Sequence, residues 1–282
     1  MKSMRIAAFG LGALAVGAAG HLAGTQNLPP TVGFPIAAAM AQEAPAMSPN
    51  PEASLTETQQ RDVEAIIRNY LIANPEIIRD AINELQRKED EAARVAQSQI
   101  IIDNSDRLFS SPTDVVFGNP DGDVTLVEFF DYNCGYCRRA HGDMQALLDG
   151  DPNLRIVMKE FPILGEGSVQ ASQISMAVLL TEPEKYREFH DALLTEPGQI
   201  DGARAIAIAE EMGLDTAALS AKAESDEVKA GISESHELAQ LLELTGTPSY
   251  VTERQVIVGA VGFETLKTEI DRVRACAGQA TC

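Results

Sequence analysis

Positive charge is scarce in this chain, and cysteine is scarcer. Only 22 lysines and arginines stand against 42 acidic residues, a formal charge of −20 over 282 residues. Such a surface repels phosphate backbones and anionic lipid, which excludes nucleic acid as a partner. Long apolar runs are missing beyond the N-terminus, so the chain is not a polytopic membrane protein. The methionine- or histidine-rich clusters of a dedicated metal carrier are missing too. No segment repeats another. The 45% of hydrophobic residues is nevertheless enough for one substantial core and a smaller appendage.

No acidic residue precedes Glu43, and Lys2 and Arg5 stand ahead of the run IAAFGLGALAVGAAG. Charge followed by small apolar residues predicts an export signal over 1–41, with Ala39-Met40-Ala41 as the cleavage site. For so long a signal, a cut near Gly20 or a start at Met4 are the alternatives. An uncleaved anchor fits less well, because the run is short and glycine-rich beside the ~20 strongly apolar residues that span a bilayer. The dinucleotide-like GLGALA lies inside this signal and carries no nucleotide-binding expectation. No cysteine stands near it to carry a lipid. The mature chain is then exported to where disulfides persist.

Residues 42–55 are polar and proline-rich, which suits a flexible linker. A helical region is expected over 56–111. Ser54 with Glu57, or Thr56 with Gln59, offers a capping box ahead of Val63, Ile66, Ile67, Tyr70 and Leu71 at helical spacing. Asn74-Pro75-Glu76 then reads as a second helix start, with the Asn74 side chain as cap. Ile78, Ile82, Leu85, Ala92 and Ala96 fall on a 4-3 seam broken by Glu89. That seam fits either an oligomer contact or packing within the chain's own domain. From residue 112 an α/β pattern follows: strands at DVVFG, VTLVEFF and LRIVMKEF, a helix from Cys134 toward Gly150, and later strands at SYVTE and QVIVGAV. Helices fill 168–244, with breaks at Pro183, Pro197-Gly198, Gly213 and near Ser225, and a last helix starts near Phe263.

Of four cysteines, none precedes Cys134, and Cys137 follows it three residues on. The spacing admits a structural staple, half of a zinc site, or a redox disulfide. Zinc needs two more ligands, and the other cysteines, Cys276 and Cys282, lie beyond the last strand. A strand-to-helix junction favours the redox reading: free N–H groups and the positive helix end stabilise a thiolate at Cys134. Cys137, one turn on, is within reach of a disulfide with it. Cys276 and Cys282 are expected to form a second, structural disulfide. His141, one turn after Cys137, is expected at the helix edge, Arg138 and Arg139 as solvated charges, and His190 and His236 without partners.

The segments VTLVEFFDYNCGYCRRAH, KEFPILG, KYREFHDALL and LTGTPSYV together resemble the DsbA-like branch of the thioredoxin superfamily. The resemblance implies a thioredoxin-like α/β domain over 112–282 with a helical insertion at 168–244. It implies Thr247-Pro248 as a cis-proline loop against the active-site cysteines, where extended backbone can pair with a substrate chain. It also implies Glu128 as a buried acid, with Lys159 as its partner. An alternating strand equally allows Glu128 to face solvent. The stretch around YLIANPEII resembles the stalk of suppressor-of-copper-sensitivity C proteins, which implies a homotrimer assembled through 56–111. Function then follows as an expectation: a periplasmic thiol-disulfide oxidoreductase, more isomerase than oxidase, since Gly135-Tyr136 lacks the histidine usual in oxidising DsbA proteins. Cys134 is the expected nucleophile and Cys137 the resolving thiol, with Thr247 and Pro248 docking substrate. Exported proteins are the expected substrates, a membrane redox partner resets the site, and no cofactor is called for. The rival readings are a DsbA-type dithiol oxidase and a copper or zinc carrier using the reduced pair.

Overall fold

The computed structural model describes residues 55–276. The expected signal over 1–41, nearly all of the linker over 42–55, and Cys282 lie outside the described residues. The chain divides into two units, one ending at Ile67 and the other beginning at Arg68.

Helix α1 (Glu57–Ala73), which begins in the first unit and ends in the second, opens on the Thr56–Gln59 capping box; Ser54 of the other box lies outside the described residues. Gln59 N donates to Thr56 Oγ1 at 3.3 Å, and Thr56 N donates to Gln59 Oε1 at 2.9 Å. Val63, Ile66 and Ile67 are exposed.

In the second unit, Asn74 does something other than expected. Its Nδ2 donates back to Tyr70 O at 2.9 Å and so closes the end of α1. Helix α2 (Glu76–Asp103) receives no side-chain cap; Asn74 offers it only a backbone carbonyl, to Ile77 N at 3.2 Å. Every residue from Glu76 to Ala96 is exposed, the whole 4-3 seam included. Burial begins at Gln97, whose Oε1 accepts from Val256 N at 3.3 Å, and reaches the core at Ile101. Packing of the seam on its own domain is therefore not what these residues do.

Five strands build the sheet: β1 (Val115–Gly118), β2 (Val124–Phe130), β3 (Leu154–Glu160), β4 (Ser249–Val251) and β5 (Val256–Val258), in the order β1-β3-β2-β4-β5. Only β2 and β3 run parallel, and helix α4 (Gly135–Gly150) supplies the crossover that a parallel pair requires. The last five residues of β2 are buried because both faces are covered. Leu126 and Phe130 join a cluster with α4, the insertion helices and α10 (Phe263–Cys276). Val127 and Phe129 join another with Leu108 of α3 (Ser105–Phe109) and Leu238 of α9 (Asp226–Leu241).

The insertion breaks where proline and glycine say it should. Pro183 opens α6 (Pro183–Thr195) after α5 (Glu166–Thr181). Gly198 and Gly213, at φ +88° and +77°, take conformations that a side chain disfavours on either side of α7 (Gly202–Glu211). After α8 (Thr216–Ala223), Ser225 Oγ accepts from Val228 N at 3.4 Å to start α9. Cys276 is disulfide-bonded, whereas Cys134 and Cys137 are free.

Candidate functional site

The site forms where β2 ends. Asp131, fully buried, gathers the turn: one carboxylate oxygen accepts from Asn133 N and Ser168 Oγ, both at 2.8 Å, and the other from Ile163 N at 2.8 Å and Leu164 N at 3.0 Å. Asn133 in turn clasps Ile200, accepting from its N at 2.7 Å and donating to its O at 2.8 Å. The next residue, Cys134, caps α4 with extended backbone. Its sulfur is therefore aimed by hydrogen bonds to distant segments as well as by the helix start.

Cys134 is 6% exposed and Cys137 is 1% exposed, so the first is the more accessible of the two sulfurs. The Cys134 thiol is held down at about 5. A hydrogen bond from the Cys137 thiol does most, and the Thr247 side chain and then the N–H groups of Cys137 and Tyr136 at the helix start assist against burial. Cys137 is pushed strongly the other way, by that same bond, by burial and by nearby Glu128. One sulfur is poised as a thiolate and the other retains its proton. Opposite them, Thr247 O lies 3.1 Å from Cys134 Sγ, next to a cis Thr247-Pro248 bond. That carbonyl can only accept, so the contact belongs to the thiol form and is available for exchange when the proton leaves.

Glu128 is 3% exposed, not solvent-facing. Its carboxyl is raised to about 8, first by burial and then by Cys134. The expected pairing with Lys159 is not made. Register sets Glu128 beside Met158 and Tyr250, and Lys159 beside Phe129, so the strand period of two puts the acid and the base on opposite faces. Lys159 Nζ instead meets Asp114 and donates to Arg107 O at 2.6 Å.

Several residues here gave little sign in sequence. Arg138 is no solvated charge: it donates to Tyr132 O at 3.1 Å, Gly198 O at 2.7 Å and Glu196 O. Arg139 lies 4.3 Å over the exposed Tyr136 ring. His190 is buried, with Nδ1 3.0 Å from the Tyr132 hydroxyl, and burial lowers it to about 3. Tyr132 also reaches Glu160 at 3.1 Å. His141 stands at the helix edge, 3.4 Å from Asp191. Among the described residues, His141, His190 and Asp191 bring ligand atoms within 4.8 Å of one another. Arg187 stands 4.0 Å from Asp191 and opposes a cation there. Nearer the helix start, the two thiols and the Glu128 carboxyl are further groups of metal-ligating type.

A family model described as DSBA-like thioredoxin domain matches residues 125–271, and one described as copper resistance protein ScsC N-terminal domain matches 59–92. A thioredoxin-like oxidoreductase from Silicibacter pomeroyi superposes with a TM-score of 0.58 at 47% identity, over 60% of this chain and 97% of that one. A linker-deletion mutant of Proteus mirabilis ScsC gives a TM-score of 0.61 at 26% identity, over 79% and 99%. Among curated proteins, the Na(+)/H(+) antiporter NhaA 1 of Salinispora arenicola is 26% identical over 157 residues, 56% of this chain but only 24% of the antiporter.

Proposed function

The chain belongs to the DsbA-like thioredoxin family of thiol-disulfide oxidoreductases, and from that premise we propose that it exchanges disulfides with exported proteins in the periplasm. One observation carries the reading: the two sulfurs of one helical turn are driven to opposite protonation, Cys134 down to about 5 and Cys137 up. The Cys134 thiolate attacks a substrate disulfide, forms a mixed disulfide and expels one substrate thiolate. Cys137 then loses its proton to Glu128 and attacks Cys134, releasing the second substrate thiolate and leaving the Cys134–Cys137 disulfide. Two electrons pass to the substrate. The reverse sequence oxidises a substrate dithiol, with Glu128 returning the proton. Thr247 and Pro248 line the approach to Cys134, where an extended substrate segment pairs with the loop. A membrane redox partner resets the pair.

The finer reading is an isomerase working as a homotrimer through residues 56–111. Exposed Val63, Ile66, Ile67 and Tyr70 on α1, and Ile78, Ile82 and Leu85 on α2, support it, as does the ScsC N-terminal match over 59–92. Several sites facing one scrambled substrate raise the effective concentration of thiolate. The test is refolding of a reduced and of a scrambled multi-disulfide protein, alongside light scattering. A trimer active on both is expected, and Ile82→Lys with Leu85→Lys should give a monomer that keeps dithiol oxidation and loses isomerisation. A monomeric wild type, or isomerisation indifferent to these substitutions, sinks the assembly and leaves the plain oxidase.

A further inference from the structure

Glu128 and Tyr250 are register partners on antiparallel β2 and β4, so their side chains leave the sheet on one face with Cβ atoms about 5 Å apart. The first is 3% exposed and the second fully buried. Among the described residues, two buried side-chain polar atoms lack a hydrogen-bond partner, and the Tyr250 hydroxyl is one of them. An orphaned hydroxyl is costly, and phenylalanine would fill the same space without that cost. The Glu128 carboxyl across from it has no hydrogen bond or ion pair among the described residues to offset its burial.

The groups facing this pair are few. The thiols of Cys134 and Cys137 lie toward Glu128 from the start of α4. Asp143 of α4 also opposes ionisation of Tyr250. On α10 the buried carboxyl of Glu269 is engaged by Thr252 at 3.3 Å and Arg272 at 3.3 Å. Lys159, the cation that the family resemblance pairs with Glu128, is on the other face. Among the described residues no cation steadies an ionised Glu128, and the Tyr250 hydroxyl, on the same face and within reach of its charge, is an idle donor.

We propose that Tyr250 is a positioning residue for Glu128, donating its idle hydroxyl to the carboxylate when Glu128 ionises and holding it ready for the Cys137 proton. The inference rests on the exchange reading given above. In the mixed disulfide, the Glu128 carboxylate takes the proton of the Cys137 thiol, and the Cys137 sulfur attacks Cys134. The Cys134–Cys137 bond forms, the bond from Cys134 to the substrate breaks, and solvent protonates the departing thiolate. Glu128, now neutral, no longer holds the hydroxyl. A neutral donor suits this task better than a lysine, since it favours the carboxylate without adding a cation beside the Cys134 thiolate.

The aromatic disulfide dithiobisnitrobenzoate separates the steps, using the reduced full chain in stopped flow. Attack by Cys134 releases one thionitrobenzoate, and resolution by Cys137 releases the second. The second phase should accelerate with pH as Glu128 ionises. In Tyr250→Phe its midpoint should move up by about one pH unit, the tenfold effect of one hydrogen bond to a charged group, and the rate should rejoin wild type in alkali. With Glu128→Gln as background, Tyr250→Phe should change nothing. A carbon-13 titration of the Glu128 carboxyl should show the same upward shift without turnover. A Tyr250→Phe protein slowed equally at every pH, or a shift that survives Glu128→Gln, overturns the proposal. The first phase tests the exchange reading separately: release at the wild-type rate in Cys134→Ser, where only the buried Cys137 thiol of the pair remains, overturns that reading, whatever Tyr250 does.

Discussion

Glu128 and Glu160 stand on neighbouring parallel strands, on the same face of the sheet, and both are buried, yet they meet opposite surroundings. Glu160 collects hydroxyls: Ser172 at 2.7 Å, Tyr132 at 3.1 Å and Tyr186 at 3.3 Å. Burial raises it to about 7, and those hydroxyls pull against the rise. Glu128, at about 8, has burial and Cys134 against its charge and nothing on the other side. Fixed donors make Glu160 part of the frame. Their absence leaves Glu128 able to change protonation beside the two thiols.

The comparison breaks most visibly at Glu160. Glu160→Ala takes the acceptor from the Ser172 and Tyr186 hydroxyls, while Tyr132 keeps Ser175 and His190, and should cost about 3 kcal/mol, measured from urea midpoints. A loss below about 1 kcal/mol would show that the hydroxyls do not depend on it. Glu128 should behave in the opposite sense. Its folded value, about 8, lies above its ordinary 4.5, so between those limits the folded chain binds more protons than the unfolded one. Its contribution to stability is therefore lost as pH rises through that window. Glu128→Gln should remove up to one proton's worth of this slope, ~1.4 kcal/mol per pH unit, in denaturation followed against pH. An unchanged slope would mean that Glu128 is not the buried acid described. The smallest effect is reserved for Lys159→Met: the pH profile of Cys134 alkylation, with its midpoint near 5, should not move. A shift would restore the link between Lys159 and Glu128 that the register denies.

What could be read in the sequence was whatever local chemistry decides. The helix breaks at Pro183, Gly198, Gly213 and Ser225 follow from backbone preference, and the Thr56–Gln59 box from spacing alone. The position of Cys134 at a strand-to-helix junction was visible for the same reason. Register was not. VTLVEFF is apolar to either side of Glu128, so alternation could not say which face that residue takes or that Lys159 takes the other. Asn74 was misread because a side chain between two helices can serve either end, and backbone geometry chooses. Asp131, Tyr132 and His190 escaped because their distant partners lie 28 to 58 residues away in the chain, in helices and loops whose packing no local pattern encodes.

Arg138 ends its side chain on three backbone carbonyls, from Tyr132, Glu196 and Gly198, while Asp131 and Asn133 bind the loop from its other side. A guanidinium fork locked in this way has no rotation left to give, and a lysine could not replace its planar reach. The reactive sulfur is thus mounted on a rigid frame. In-line attack on a disulfide demands alignment of three sulfurs, and where one side cannot turn, the other must. A polypeptide still loose enough to swing its own disulfide into line meets that demand easily, whereas a finished, rigid protein does not. On the exchange proposed above, stiffness at the site would act as a sieve for unfinished chains, sorting them by their freedom of movement with no need to read their sequence.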